Sequence, residues 1–357
     1  CILILIQLFH KSPSVARSCI IGLFTLFMTG IFLYYYVTFF IIIVFYWLGI
    51  ILSRRKEKVV VWSIKHFFIQ AVVPLIVIQL ILFFTNKIGD RTSLPWGYDI
   101  YLASWEGIFL PIKWAFMRQE ISDIIPLKTI DWEGNSYIGL FSVVVFLLLI
   151  IDLIKRAVKL EYKSLFKFTD SFILNVFLLA GVFGLLYSFG IFSFLGEKFP
   201  VFNQFRSIGR FAWIFYYAIN ISSFYILYNL NIKVKYLRYI VLIVPFLILY
   251  TEVYFNCTQR VKMEYMNNKI VFWDNKSDTS WIERIPEGKY QAIIGLPYFH
   301  SGSDNVWLNP PAESEIQKNV YIASLNLKIP TTCVLLGRTS LSQTFKNVAI
   351  VSEPYRP

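Results

Sequence analysis

The chain has 357 residues, 57% of them hydrophobic and only 16% charged, with a mean hydropathy of +0.58. A soluble domain runs nearer half apolar and a quarter charged, so this composition points to lipid as the main solvent. The net charge of +12 would suit nucleic-acid binding in a soluble protein. Here the basic residues gather in short loops between apolar runs, as positive-inside topology requires, and no basic-aromatic RNA or DNA motif accompanies them.

The pattern predicts a mainly helical, polytopic bundle of about eight spans, each needing about 20 apolar residues. Cys1–Phe9 is apolar and opens without a charged n-region, so the first span is expected to be incomplete. Ser18–Leu52 is 35 residues long, about 52 Å as one helix, and is read as two spans meeting in a tight turn near Thr29-Gly30. The basic cluster Ser53–Lys58 follows, and Phe67–Thr85 crosses back. Later spans are expected at Tyr137–Ile154, Ser171–Phe189, Phe211–Leu230 and Tyr239–Phe255. The loops 10–17, 53–58, 155–167 and 231–238 are rich in Lys and Arg and are expected on the cytoplasmic side. That puts loops 86–136 and 190–209 and the tail 257–357 outside, in a multi-pass arrangement.

The tail has a different texture. Lys289–Pro297, Thr331–Leu336 and Val348–Val351 read as strands, and Ala312–Leu327 and Ser340–Lys346 as helices. Residues 1–256 are therefore expected to form the bundle, and 257–357 an extracytoplasmic α/β domain that is cut short. Cys257 and Cys333 are either a pair on an oxidising face or two unrelated thiols. No CxxC occurs and the three His are scattered, so no metal site is expected.

Two places carry candidate chemistry. Loop 86–136 combines acids, Asp90, Glu106, Asp131 and Glu133 among them, with Trp96, Trp105 and Trp132. Carboxylates bind hydroxyls and rings stack on sugar faces, so Glu106 and Asp131 are candidate acceptor contacts or bases and the three Trp candidate sugar contacts. An aromatic belt at headgroup depth is the competing explanation. The second place is Phe205-Arg206-Ser-Ile-Gly209-Arg210-Phe211, where Arg206 and Arg210 stand outside against the positive-inside bias. Their guanidinium forks match phosphate geometry, and anchoring to lipid headgroups is the alternative. A Ser342/His300 triad has no nucleophile-elbow motif behind it. Asp152, Asp170 and Glu252 lie near span ends, so mid-span charge is scarce, which argues against ion-coupled transport.

The Phe205–Phe211 motif, the Tyr137-Ile-Gly-Leu140 approach to a span, the acid- and aromatic-rich outer loop and the outside tail together resemble the GT-C glycosyltransferase superfamily, nearest its YfhO-like members. The resemblance covers about residues 15–300. Those proteins carry Phe-Arg-x-Pro-x-Arg-Phe, whereas Ile208 and Gly209 stand here in place of the usual spacing of Pro and Gly. The resemblance implies a multi-pass protein of a bacterial plasma (inner) membrane that transfers a polyprenyl-phosphate-linked sugar on the outer side, in cell-envelope glycan assembly, to a glycan or protein acceptor. It implies that Arg206 and Arg210 meet the donor phosphate. The usual catalytic acid of the group lies in a first outer loop, which is expected to precede Cys1. No cofactor is implied, with a divalent metal left open. A lipid-linked glycan transporter and a non-catalytic membrane scaffold are the other readings.

The predicted topology is tested by C-terminal reporter fusions. Fusions ending at Lys58 and Arg238 are expected to be active only with a cytoplasmic reporter, and those ending at Asn135 and Gln259 only with an exported one. The reverse pattern would invert the assignment.

Overall fold

Long apolar runs leave the backbone no water to bond with, so they close their hydrogen bonds internally as helices. The computed structural model is mainly helical and describes residues 2–54, 56–90, 97–98, 100–111, 124, 132–161, 164–199, 202–267, 280–286, 288–303, 306–308, 315–336 and 339–352. The helices are α1 (Ile2–His10), α2 (Val15–Ile31), α3 (Leu33–Arg54), α4 (Glu57–Phe67), α5 (Val73–Thr85), α6 (Trp105–Phe109), α7 (Leu140–Val158), α8 (Phe172–Ser188), α9 (Phe194–Lys198), α10 (Ala212–Tyr228), α11 (Lys235–Asn267), α12 (Ile316–Leu327) and α13 (Leu341–Ser352). A π-helical turn, Phe68–Val72, joins α4 to α5. Contacts divide the chain into one unit of 1–85 and 97–259 and another of 86–96 and 260–357.

Among the described residues four helices are long and apolar enough to cross a membrane: Leu33–Arg54, Glu57–Thr85, Ile208–Tyr228 and Tyr236–Thr258. Val15–Ile31 and Phe172–Ser188 are shorter apolar helices. Half of the apolar stretch is buried in the first and third of the four, but only 17% in Glu57–Thr85 and 11% in Tyr236–Thr258. Those two present bare apolar surface, with Phe83 and Phe84 77% and 71% exposed. Contiguous apolar faces of that extent mark a membrane or interaction surface, and the spanning length of these helices fits a membrane.

The core of the first unit is a row in which α8 packs between α3 and α10. Phe39 and Ile43 of α3, Phe177 and Ala180 of α8, and Phe215 and Ala218 of α10 are fully buried. Small residues on α8 let the backbones approach: a Cβ on Gly181 would stand 3.0 Å from both Ala218 Cβ and Phe215 Cα. Beside α3, α2 packs on α5 and the π turn, and a buried polar network fastens the group. Trp47 Nε1 donates to Gln70 Oε1 (2.9 Å), Gln70 Nε2 donates to Ser18 Oγ (2.8 Å), and Ser18 Oγ is 2.7 Å from His66 Nδ1. His66 also stacks on Trp47 with centroids 5.4 Å apart. The π turn carries Gln70, and such turns commonly re-aim a polar side chain.

In the second unit the sheet order is β2 (Val306–Leu308), β1 (His300–Ser303), β3 (Val334–Leu335). β1 pairs antiparallel with β2, with an irregularity between Ser301 and Ser303, and parallel with β3. Phe299, Val320 and Cys333 form its small core.

Several expectations change. The α2–α3 break falls at Phe32, in extended backbone, rather than at Thr29-Gly30. The helix through Phe67–Thr85 begins ten residues earlier, at Glu57. Lys289–Pro297 makes only one isolated bridge, Ile293 to Thr331, and the strand follows it at His300. Val348–Val351 is not a strand; it continues α13 to Ser352, where Tyr298 OH donates to the Asn347 carbonyl (3.2 Å). Cys257 is an exposed thiol and Cys333 a buried one, to which the Gly295 N–H donates (3.2 Å).

The α8–α10 contact gives a direct test. Gly181→Leu is expected to lower the unfolding midpoint in detergent by the equivalent of about 1–3 kcal/mol, the usual range for overpacking. Val182→Leu, at a partly exposed neighbour, is expected to leave the midpoint nearly unchanged. Equal stability of the two variants would contradict the close packing.

Candidate functional site

The segment 132–140 is unusually well tied down for a loop. Ser136 N–H donates to Gly107 O (3.2 Å) and Ile138 N–H to Ile108 O (3.1 Å), so the segment runs along the short helix α6. At its start, Arg210 Nη2 donates to Glu133 Oε1 at 2.9 Å. The Arg210 guanidinium also lies over the rings of Phe32 (5.3 Å) and Tyr34 (5.1 Å), a cation–π cradle. Tyr34 OH accepts from Ser207 N–H (2.8 Å), and Gly209 N–H donates to Tyr101 O (2.8 Å). These bonds fix the Phe205–Phe211 motif against the loop.

At its end, the segment meets Glu252. Glu252 Oε1 accepts from Leu140 N–H (2.8 Å) and from Tyr137 OH (3.0 Å), and the residue is only 7% exposed. A carboxylate from α11 therefore caps α7, satisfying an N–H that the helix itself leaves unpaired. Gly139 makes this possible. Its φ of +89° suits glycine alone, and a Cβ there would stand 3.2 Å from Glu252 Oε2. That second oxygen has no hydrogen-bond partner among the described residues. Asn220 completes the junction, donating to Ile138 O (3.1 Å) and accepting from Ser142 OH (2.9 Å).

Between these elements lies a cavity of about 440 Å³. Tyr35, Tyr137, Trp213 and Tyr217 supply aromatic walls, and Asn135 and Asn256 supply amides. Tyr35 lies at the start of α3, Trp213 at the start of α10 and Asn256 near the end of the apolar part of α11, so the cavity sits at the end of the bundle away from the basic loops.

The residues singled out in the sequence do not form these walls. Glu106 is 3% exposed, with Oε2 buried and unpartnered, and stands one helical turn before the lining residue Leu110. Trp105 is 48% exposed. Arg206 is half-buried, and Arg210 has its charge compensated by Glu133. Asp131, Trp96 and the ring of Trp132 lie outside the described residues. Asp90 belongs to the second unit, where its carboxylate accepts from Ser342 N–H (2.7 Å) at the start of α13. That bond holds its pKa below the usual carboxylate range. His300 is fully buried with neither ring nitrogen hydrogen-bonded, and burial pushes its pKa down. Neither ring nitrogen reaches Ser342, so the two do not form the Ser–His pair of a triad. Among the described residues no cluster of three or more His, Cys, Asp or Glu suits a metal ion.

Sequence reasoning passed over Glu252 because it lies close to a span end. The available signal was a single carboxylate in an otherwise apolar run, with Asn256 one turn on.

Apolar helices of spanning length whose flanks are bare define a helical membrane protein. Residues 1–250 match the family described as a domain of unknown function, DUF6311, and the chain belongs to that family. No curated protein and no solved structure matches it.

The Arg210–Glu133 pair is testable as the anchor of the cavity wall. Arg210→Met and Glu133→Gln are each expected to cost about 1–3 kcal/mol, as a stranded buried partner does. The double variant is expected to cost clearly less than their sum in detergent unfolding. Strict additivity would contradict the anchoring role.

Proposed function

We propose that this protein is a GT-C-like membrane glycosyltransferase that takes a polyprenyl-phosphate-linked sugar into the aromatic cavity at the outer ends of its spans. The observation that carries the reading is the cavity's lining. Flat aromatic rings beside amides, at the depth where a lipid-linked headgroup lies, are the chemistry that binds a sugar ring and its hydroxyls. In this reading the bundle has about eight spans. Its basic loops face the cytoplasm and its tail, an α/β segment, lies outside the plasma membrane.

Glu252 is the carboxylate tied to the cavity, since its partner Tyr137 and its neighbour Asn256 both line it. Leu140 N–H and Tyr137 OH both donate to Oε1, and Oε2 is left to accept a proton. The acceptor hydroxyl gives its proton to Glu252 as its oxygen bonds to the anomeric carbon. The bond from that carbon to the phosphate oxygen breaks, and polyprenyl phosphate leaves as the anion. Glu106 is a second candidate for acceptor contact. Arg206 is the proposed phosphate contact, and Arg210 acts through Glu133 by holding Asn135–Tyr137 in place.

Glu252→Gln keeps an oxygen to accept from Leu140 and Tyr137 but cannot take the proton. In proteoliposomes supplied with undecaprenyl-phosphate-linked hexose and membrane-derived acceptor, it is expected to retain donor binding and lose transfer about 100-fold or more. Transfer at the parent rate by this variant would remove Glu252 as the base. Failure of the parent protein to bind the hexose-bearing lipid better than undecaprenyl phosphate alone would remove the function.

A further inference from the structure

The opposite ends of the same helices enclose a second, larger cavity of about 600 Å³. Arg54 at the end of α3, Trp62 in the middle of α4, Phe172 at the start of α8 and Tyr225 near the end of α10 line it, so it opens at the basic end of the bundle. Its floor is apolar, built from Phe9, Tyr46, Ile50 and Phe172. Its rim carries Lys11 and Arg54. Neither cation has an acidic partner among the described residues, whereas the one acid on the rim, Asp170, is 3.3 Å from Lys167. The first turn of α8 adds to the positive end. Ser171 Oγ caps Leu174 N–H at 3.5 Å, and the N–H groups of the lining residues Phe172 and Ile173 have no partner within the helix.

We infer that this cleft holds an anionic glycerophospholipid, its phosphodiester between Lys11, Arg54 and the α8 N-terminus and an acyl chain along Ile50 and Phe172. Three features select that ligand over a soluble anion. The cleft is amphipathic in the same sense as a lipid, with charge at the rim and hydrocarbon below. It lies at a helix-end depth, where headgroups lie. Its two unpaired cations match a headgroup of net negative charge, and basic pockets between spans on this side of a membrane recur as lipid sites. The cleft joins the α1–α2 connection to α3 and α8, so an occupant would tie the first helix to the core row. The inference stands independently of the sugar-transfer reading, which concerns the other end of the bundle.

The test uses the full chain in a neutral detergent, titrated with phosphatidylglycerol, phosphatidylcholine or inorganic phosphate while bound lipid is counted by native mass spectrometry and thermal unfolding is followed. Phosphatidylglycerol is expected to bind and raise the unfolding midpoint, and the other two to do neither. Lys11→Ala/Arg54→Ala is expected to lower phosphatidylglycerol affinity roughly 30-fold, each cation near a membrane surface being worth about fivefold. Lys58→Ala/Lys65→Ala removes two exposed charges outside the cleft and is expected to keep the affinity. Equal binding of both lipids, equal loss in the two double variants, or stabilisation by inorganic phosphate alone would each overturn the assignment.

Discussion

The bond from Glu252 to the first N–H of α7 is the constraint on which the candidate site depends. An apolar helix entering a membrane leaves its leading N–H groups without water, and each must find an acceptor. Here the acceptor comes from a different helix, α11, and the same oxygen holds Tyr137. The consequence is architectural. α11 packs little against the rest of its unit, yet its carboxylate fixes where α7 begins, and that start fixes the wall formed by Asn135, Ser136 and Tyr137. Gly139, with its positive φ, is the cost of bringing chain and carboxylate so close.

At the other end of the same segment, Arg210 and Glu133 do the complementary work. The Phe205–Phe211 motif suggested a phosphate clamp, and its departure from the Pro-containing pattern now has a physical context. Gly209 bonds the Tyr101 carbonyl, Ser207 bonds Tyr34, and Arg210 is committed to Glu133 and two rings. The motif is a fastening for the aromatic cavity. Tyr, Trp and Asn side chains line the cavity, and the Arg210–Glu133 pair holds its frame.

Sequence pattern recovered the helices well where apolarity decides the outcome. α3, α7, α8 and α10 fall on their expected runs because a long apolar helix is written in composition over some twenty residues. Boundaries were harder. The break at Phe32 coincides with the stacking of Phe32 on Tyr34 (4.9 Å) and on the Arg210 guanidinium, contacts that a local window does not hold. Val348–Val351 is apolar enough for a strand, but a long-range bond from Tyr298 and the Asp90 cap, 252 residues away in sequence, favour one continuous helix. The site was legible only in type. Aromatics and carboxylates were anticipated, yet the lining came from span ends and from segment 135–137 rather than from Trp105 or Glu106. The Ser18–His66–Gln70–Trp47 network was invisible for the same reason: His66 and Gln70 share a helix face by their spacing, but only tertiary contact reveals their partners.

The central claim is that the cavity at the ends of α3, α10 and α11 takes the headgroup of a lipid-linked sugar. The most direct measurement is photo-crosslinking of the protein in proteoliposomes with an undecaprenyl-phosphate hexose bearing a diazirine on the sugar, with the labelled peptides read by mass spectrometry. The account predicts label on Tyr35, Tyr137 or the Trp213–Tyr217 stretch, displaced by excess unlabelled donor. Label confined to lipid-facing positions such as Phe83, Phe84 and Phe246, and unaffected by competition, would contradict it.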